Sequence, residues 1–357
     1  MRTQINSLSA LFSGVLILTW AAGLNAQDVA IPTVVSDSQQ VVETAEWVTE
    51  GDLGSCQYCS GIEADWALQF DLFFMTRDKP NRMSLLFSDG GTPGNYTDDN
   101  RLATTTDLDF RWEPGFRLSA GRSFDNNKAF EITYFELQDL NDSLGRTGAG
   151  NIAWPWSVGT TVDFQDADFA SASYASDLHN LEFNLRSQVK DAWSVLAGLR
   201  YVSIDEQFRG VSNNLDGDGF SSVYNTDTEN DLFGIQVGTN NRFALLEDLT
   251  LDVDTAAGLF VNSAWQQSFA TDEGAVWRQT GDRRNKTAFV GELRLNGVYA
   301  VSENVGLRVG YQLMWVGGIA LAPEQLDYSN NAFSATDVSV NGKSLYQGFN
   351  IGFEYVR

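Results

Sequence analysis

The chain has 357 residues, 43% of them hydrophobic and 12% aromatic, with 32 Gly and only 6 Pro. Its formal net charge of -24, from 23 basic against 47 acidic residues, argues against nucleic acid as a partner, because phosphate backbones need a basic surface. Length alone permits two domains, but evenly spaced strand signals argue for one large all-β unit whose partners are cations, small solutes or lipid.

Residues 1–26 read as a secretory signal: Arg2 supplies the positive end, residues 8–22 are mostly apolar, and the small residues before Ala26 suit cleavage. Leu24 is larger than the usual residue there, so the cut could fall nearby, and an uncleaved anchor stays as the alternative. Beyond this segment no apolar run approaches the ~18 residues of a membrane helix, so a membrane-spanning chain must cross as a closed barrel. Residues 27–63 are polar and acidic, with Glu43, Glu46, Glu50 and Asp52, and read as a flexible periplasmic leader in which residues 36–50 could form a short helix. Cys56 and Cys59 are the only cysteines. Ser60 follows where haem attachment wants His, and no second pair exists for zinc, so a local disulfide or idle thiols is expected.

The barrel is expected over residues 64–357. Trp66, Leu68, Phe70, Leu72 and Phe74 alternate with Asp65, Gln69 and Asp71, a period-two strand signal. A polar connection over residues 76–105 leads to a second run, Leu108 to Ala120, with a bend expected at Pro114-Gly115. Turn residues 124–127 close a hairpin with Phe130, Ile132 and Tyr134. Residues 139–173, rich in Gly, Asp and Trp, read as a long connection, followed by strands at residues 181–186 and 193–201. Residues 206–230 read as the next long loop; strands at 233–239 and 249–259 flank a turn, and residues 262–286 read as a fourth loop. Phe289 to Tyr299 and Val305 to Trp315 form the clearest hairpin, each run about the length a tilted strand needs to cross a bilayer. Residues 317–343 make the fifth long connection before the last strand, Leu345 to Tyr355.

About ten antiparallel strands emerge, with twelve if a loop hides another hairpin. Tight turns alternate with long connections, as periplasmic turns alternate with extracellular loops in a transmembrane β-barrel. Aromatic residues mark both ends of the strands: Trp66, Phe130, Trp193, Phe243, Tyr299 and Tyr355 on the turn side, and Phe74, Tyr134, Tyr201, Phe289 and Trp315 on the loop side. Interfacial girdles explain this; the competing explanation is the core of a soluble sandwich. A lipid-facing Arg or Lys near the midplane costs roughly 2 to 4 kcal/mol, so Arg117, Glu131, Glu182, Arg186, Arg200, Glu292, Arg294, Arg308 and Glu354 are expected to face the lumen. Both signs are present and can pair, and ten strands lie near the filled end of barrel sizes, so the lumen should be narrow or partly occluded.

Residues 108–115, 178–184, 197–201, 230–238 and 320–326, including Leu108-Asp109-Phe110-Arg111-Trp112-Glu113-Pro114-Gly115 and Ala320-Leu321-Ala322-Pro323-Glu324-Gln325-Leu326, resemble the β-barrel porin-7 family. They are also similar to a related family of pore-forming major outer-membrane proteins. The resemblance covers most of the chain after Ala64 and implies placement in the cell outer membrane and a porin-like role. It implies no catalytic residues.

Residues 214–219 imitate the start of a calcium loop, but Asn225 stands where the pattern needs a bidentate Glu, so a solvated turn is expected and no metal or cofactor is assigned. The alternative to a channel is an outer-membrane hydrolase of protease or lipase type. It would need His179, the one histidine, which parity with Leu181 and Phe183 turns outward near the loop-side rim. Asp205, Glu206, Asp227, Glu229 and Asp231 could gather there, but a solvated acidic rim accounts for them. The expected function is a porin-like passive diffusion channel for small solutes or ions, narrow and cation-preferring, and not an enzyme. A structural or adhesive surface barrel, resting on the loop at residues 139–173, is the third class.

Overall fold

The computed structural model describes residues 66–88, 100–125, 127–155, 162–190, 192–214, 221–272, 274–327 and 337–357. The signal, the leader, Cys56, Cys59 and most of the calcium-like loop lie outside them. Among the described residues no helix is long and apolar enough to cross a membrane, which says nothing of strands.

Twelve antiparallel strands form one sheet. In chain order they are β1 (Trp66–Arg77), β2 (Ser84–Ser88), β3 (Asn100–Thr104), β4 (Glu113–Asp125), β5 (Lys128–Ala153), β6 (Ala167–Lys190), β7 (Trp193–Asn213), β8 (Ser222–Leu246), β9 (Leu249–Asp272), β10 (Ala275–Ala300), β11 (Val305–Ile319) and β12 (Gly342–Val356). Ten of them close a ring: β1 pairs with β4 and β12, neighbours in sequence pair from β4 to β12, and β5 pairs with β6. The other two, β2 and β3, form a short hairpin docked on β5 through Phe87 opposite Ala153. One turn of helix, α1 (Val162–Gln165), and a 3₁₀ turn at Ala322–Gln325 lie between strands.

The strands overrun the expected loops. Residues 139–153 belong to β5, 167–173 to β6, 206–213 to β7, 222–230 to β8, 262–272 to β9 and 275–286 to β10. Conversely, Leu108 to Trp112 precede β4 and are not strand. The reason is a change of solvent along a single strand. In the lower half of β7, nearer its short turn to β6, Val195, Leu199 and Tyr201 face outward while Ser194 and Arg200 face inward. Two residues further the sides exchange character: Asp205, Gln207 and Arg209 face outward, while Val202, Ile204 and Phe208 are buried. The lower half has hydrocarbon outside and a polar interior; the upper half has water outside and an apolar interior. Each half alternates correctly for its surroundings.

The exchange occurs at one height around this wall. Register aligns Tyr134, Leu181, Tyr201, Phe233 and Val261 across β5 to β9, and the first outward positions above them include Glu136, His179 and Asp231. Rings also pack at this level, Phe289 against Trp315 at 5.1 Å and Trp112 against Phe349 at 5.6 Å. At the turn end Phe124 stacks on Phe130 at 4.6 Å. Between the two belts the outer wall is bare and apolar, with Ile235 66% and Val237 64% exposed.

Candidate functional site: the barrel interior

Inward positions at membrane height carry charge because outward ones cannot. Arg117, Glu182, Arg200, Glu292, Arg308 and Glu354 are buried inside the ring, and Glu131, Arg186 and Arg294 are partly buried beside them. They are joined there by Asp71, Asp252, Asp254 and Arg242, which alternation alone could have found, since Asp252 and Asp254 flank the outward Val253.

The charges form three linked groups. Glu292 is the centre of the first: Arg117 Nη2 donates to its Oε1 at 2.8 Å, Arg200 Nη1 lies 3.0 Å from its Oε2, and Arg294 Nε lies 3.5 Å from Oε1. Arg200 also donates to Asn180 Oδ1 at 2.6 Å and lies 3.6 Å from Glu182, whose Oε2 accepts from Gln236 at 2.7 Å. In the second group Arg186 grips Glu131 with two bonds of 2.6 and 3.1 Å. In the third, Arg242 holds Asp252 through bonds of 2.6 and 2.5 Å, and Arg308 reaches Glu354 at 2.7 Å and Asp71 at 3.5 Å. Carboxylates and guanidiniums nearly balance, so each ion meets an opposite charge where water is scarce. A cavity of about 130 Å³ lies at the turn end of this layer, against Arg186, Arg242, Arg294, Asp252, Asp254 and Glu354.

Above the ions the interior is packed. Phe73, Phe135, Leu178, Val202, Ile204, Phe260 and Val290 form a buried apolar core continuous with Trp154 and Phe164. Within it Arg77 pairs with Glu206, both side chains fully buried, beneath the rings of Phe110, Tyr174 and Tyr346 at 5.1 to 5.6 Å. Glu206 Oε2 also accepts from Tyr174 Oη at 2.7 Å and from the Ala322 N–H at 2.8 Å. The sequence alone reads Glu206 as a rim acid; β7, which runs through it, turns it inward.

The remaining candidates stand on the outer wall. His179 Nδ1 lies 3.3 Å from Tyr134 Oη and 3.7 Å from Glu136 Oε2. Asp177, Asp205 and Glu229 are directly opposite one another across β6, β7 and β8, and Tyr201 Oη donates to Asp231 Oδ1 at 2.5 Å. Among the described residues no group of three or more His, Cys, Asp or Glu could hold a metal ion.

A family model described as Legionella pneumophila major outer membrane protein precursor matches residues 63–351. Among solved structures, the outer membrane protease OmpT from Escherichia coli is similar at a TM-score of 0.46 and 10% identity, covering 82% of this chain and 96% of that one. The translocator domain of the autotransporter NalP from Neisseria meningitidis gives a TM-score of 0.35 at 9% identity, covering 81% and 88%. A Pseudomonas aeruginosa FadL homologue gives 0.33 at 10% identity, covering 82% and 90%. No curated protein sequence matches the chain. At these scores the structural likenesses carry no argument about activity.

Proposed function

The chain belongs to the Legionella pneumophila major outer membrane protein family, an outer-membrane β-barrel family, and from that premise we propose that it is a porin-like barrel whose passage is shut in the state described. The observation that carries the reading is the hydrophilic interior: ionised side chains line the membrane-level lumen and border a cavity at its turn end. Solute would move passively past the arginines and carboxylates once the packed mouth above them opens. Because the interior charges nearly balance, a preference for cations would come from the acidic outer strands, where Asp177, Asp205 and Glu229 share a row, within a chain of net charge -24.

The packed mouth around Trp154, Phe164 and Tyr174 favours a second reading, a surface barrel with a structural or adhesive role. Planar-bilayer recording of the purified barrel separates the two. Discrete, cation-favouring conductance supports the channel, and silence over a wide range of voltage supports the surface barrel. The reading gives the chain no catalytic role: His179 sits on the outer wall between Tyr134 and Glu136, and His179→Ala should leave conductance and fold unchanged. Protease or lipase activity lost in that variant would favour the hydrolase instead.

A further inference from the structure

The inner wall of β8 and β9 is out of character with the apolar mouth it borders. Each of four successive rungs carries a hydroxyl or an amide: Thr226 opposite Ser268, Thr228 opposite Gln266, Asn230 opposite Ala264, and Leu232 opposite Asn262. All these residues are buried. One apolar rung, Gly234 opposite Phe260, separates them from Gln236 and the ionic network below. A polar track therefore runs nearly the height of the wall.

One inserted stretch covers part of it. At a register shift between Gly317 and Ile319, Gly318 adopts φ 84° and turns the chain out of β11 into the mouth. Asn230 then grips the backbone of Ala320 at both ends, its Oδ1 accepting the N–H at 2.7 Å and its Nδ2 donating to the carbonyl at 2.9 Å. Asn262 Nδ2 donates to the Gly318 carbonyl at 3.0 Å, and Glu206 accepts the Ala322 N–H. These are polar contacts that water can replace. Meanwhile Thr228 Oγ1, Asn262 Oδ1 and Gln266 Oε1 are buried with no hydrogen bond to another protein group, so the wall presents polar atoms that the inserted stretch does not use.

We propose that residues 320–327 are the gate of a hydrophilic path along β8 and β9, latched by Asn230 and Glu206, and that withdrawal of this stretch from the mouth opens the barrel. The inference rests on the porin-like reading. A path lined by hydroxyls and amides suits water, hydrated ions and small hydrogen-bonding solutes, whereas an apolar plug held by burial alone would have no use for such a wall.

The test is made in a Cys56→Ser, Cys59→Ser background, with each variant checked for heat-modifiable migration on a gel. Asn230→Ala removes both bonds to Ala320 and should raise the open fraction in bilayer recordings by about tenfold, from two lost hydrogen bonds. Asn230→Cys with Ala320→Cys should silence the channel on oxidation and restore it on reduction. Thr228→Cys should react with a membrane-impermeant thiol reagent, and faster when Asn230→Ala is added. Conductance that persists but ignores both the Ala variant and the crosslink, with Thr228→Cys unreactive, would overturn the gate and leave the porin-like reading standing. Silence in every form, Asn230→Ala included, would overturn both.

Discussion

Glu292 offers the sharpest test of the interior. It faces Arg117, Arg200 and Arg294, and its side chain is 6% exposed against 4% for Arg117 and 1% for Arg200, so the pairs belong to the desolvated regime and not to the surface one, where a pair contributes little. Glu292→Gln does not strand all three guanidiniums equally. Arg200 keeps Glu182 at 3.6 Å and Arg294 keeps Asp254 at 3.8 Å, but the ion pair at 2.8 Å is the one Arg117 makes. One uncompensated buried charge costs about 3–5 kcal/mol, which sets the expected loss. Adding Arg117→Met removes the stranded charge and should bring stability back to within about 1–2 kcal/mol of the wild type, since replacing a whole buried pair by apolar groups is often near neutral. The assay is equilibrium denaturation of the barrel in lipid vesicles, followed by tryptophan fluorescence. A loss under about 1 kcal/mol for Glu292→Gln, or a double variant no more stable than the single one, would show a hydrated lumen and refute the argument.

Three further outcomes follow from the wall, the inward turn and the outer acids. Val237→Lys, at an outward position 64% exposed between the aromatic belts, should cost about 2–4 kcal/mol or prevent assembly into vesicles, whereas Gln207→Lys, outward but above the belt, should fold normally; equal behaviour would remove lipid from the wall. Gly318→Ala places a Cβ at φ 84° and 2.7 Å from the Thr287 carbonyl oxygen, so a loss of at least about 1 kcal/mol is expected in the same denaturation assay, and an unchanged midpoint would show that the inward turn is not needed. The third concerns Asp205, in the water-facing part of β7, whose carboxyl is raised by burial and then by Asp231 and Asp177, with His179 opposing. A raised carboxyl binds its proton more readily in the folded barrel, so its contribution is fully present below the ordinary carboxylate range and is lost as pH climbs through the folded value. Asp205→Asn should therefore stabilise the barrel by about 0.5 kcal/mol at neutral pH and by nothing near pH 3, where Asp205 already holds its proton; a gain that ignores pH would refute the repulsion.

Period-two alternation was sufficient to identify the ring, because β1, β11 and the Phe289–Tyr299 half of β10 have one solvent on each face along most of their length. It was insufficient where a strand leaves the bilayer. In β6 the outward series changes from Leu185, Phe183 and Leu181 to Asp177, Ser173 and Ser171, while the inward one changes from Glu182 to Leu178, Tyr174 and Ala172. The alternation persists and its sign reverses, so a search for apolar residues on one fixed side stops at the girdle and reports a loop. The short hairpin of β2 and β3 lacks even this signal: its burial runs Leu85, Leu86, Phe87 in succession, as a segment covered on both faces does.

The site was legible to the same depth and for the same reason. Arg200 and Glu292 had to face inward because hydrocarbon lies on the other side, and no partner needed to be known for that inference. Glu206 is different: it sits above the girdle, where water covers the outer wall and nothing in composition forbids a carboxylate from facing it. Only the register, which gives Glu206 the parity of Arg200 and Phe208, turns it inward to Arg77 and Ala322. Asn230 obeys the same rule, since its parity matches Leu232 and Gln236. Membrane solvation thus fixes the charged half of the lumen from sequence, while the polar wall that the inserted stretch covers depends on strand length, which a sign-blind reading of alternation would have supplied.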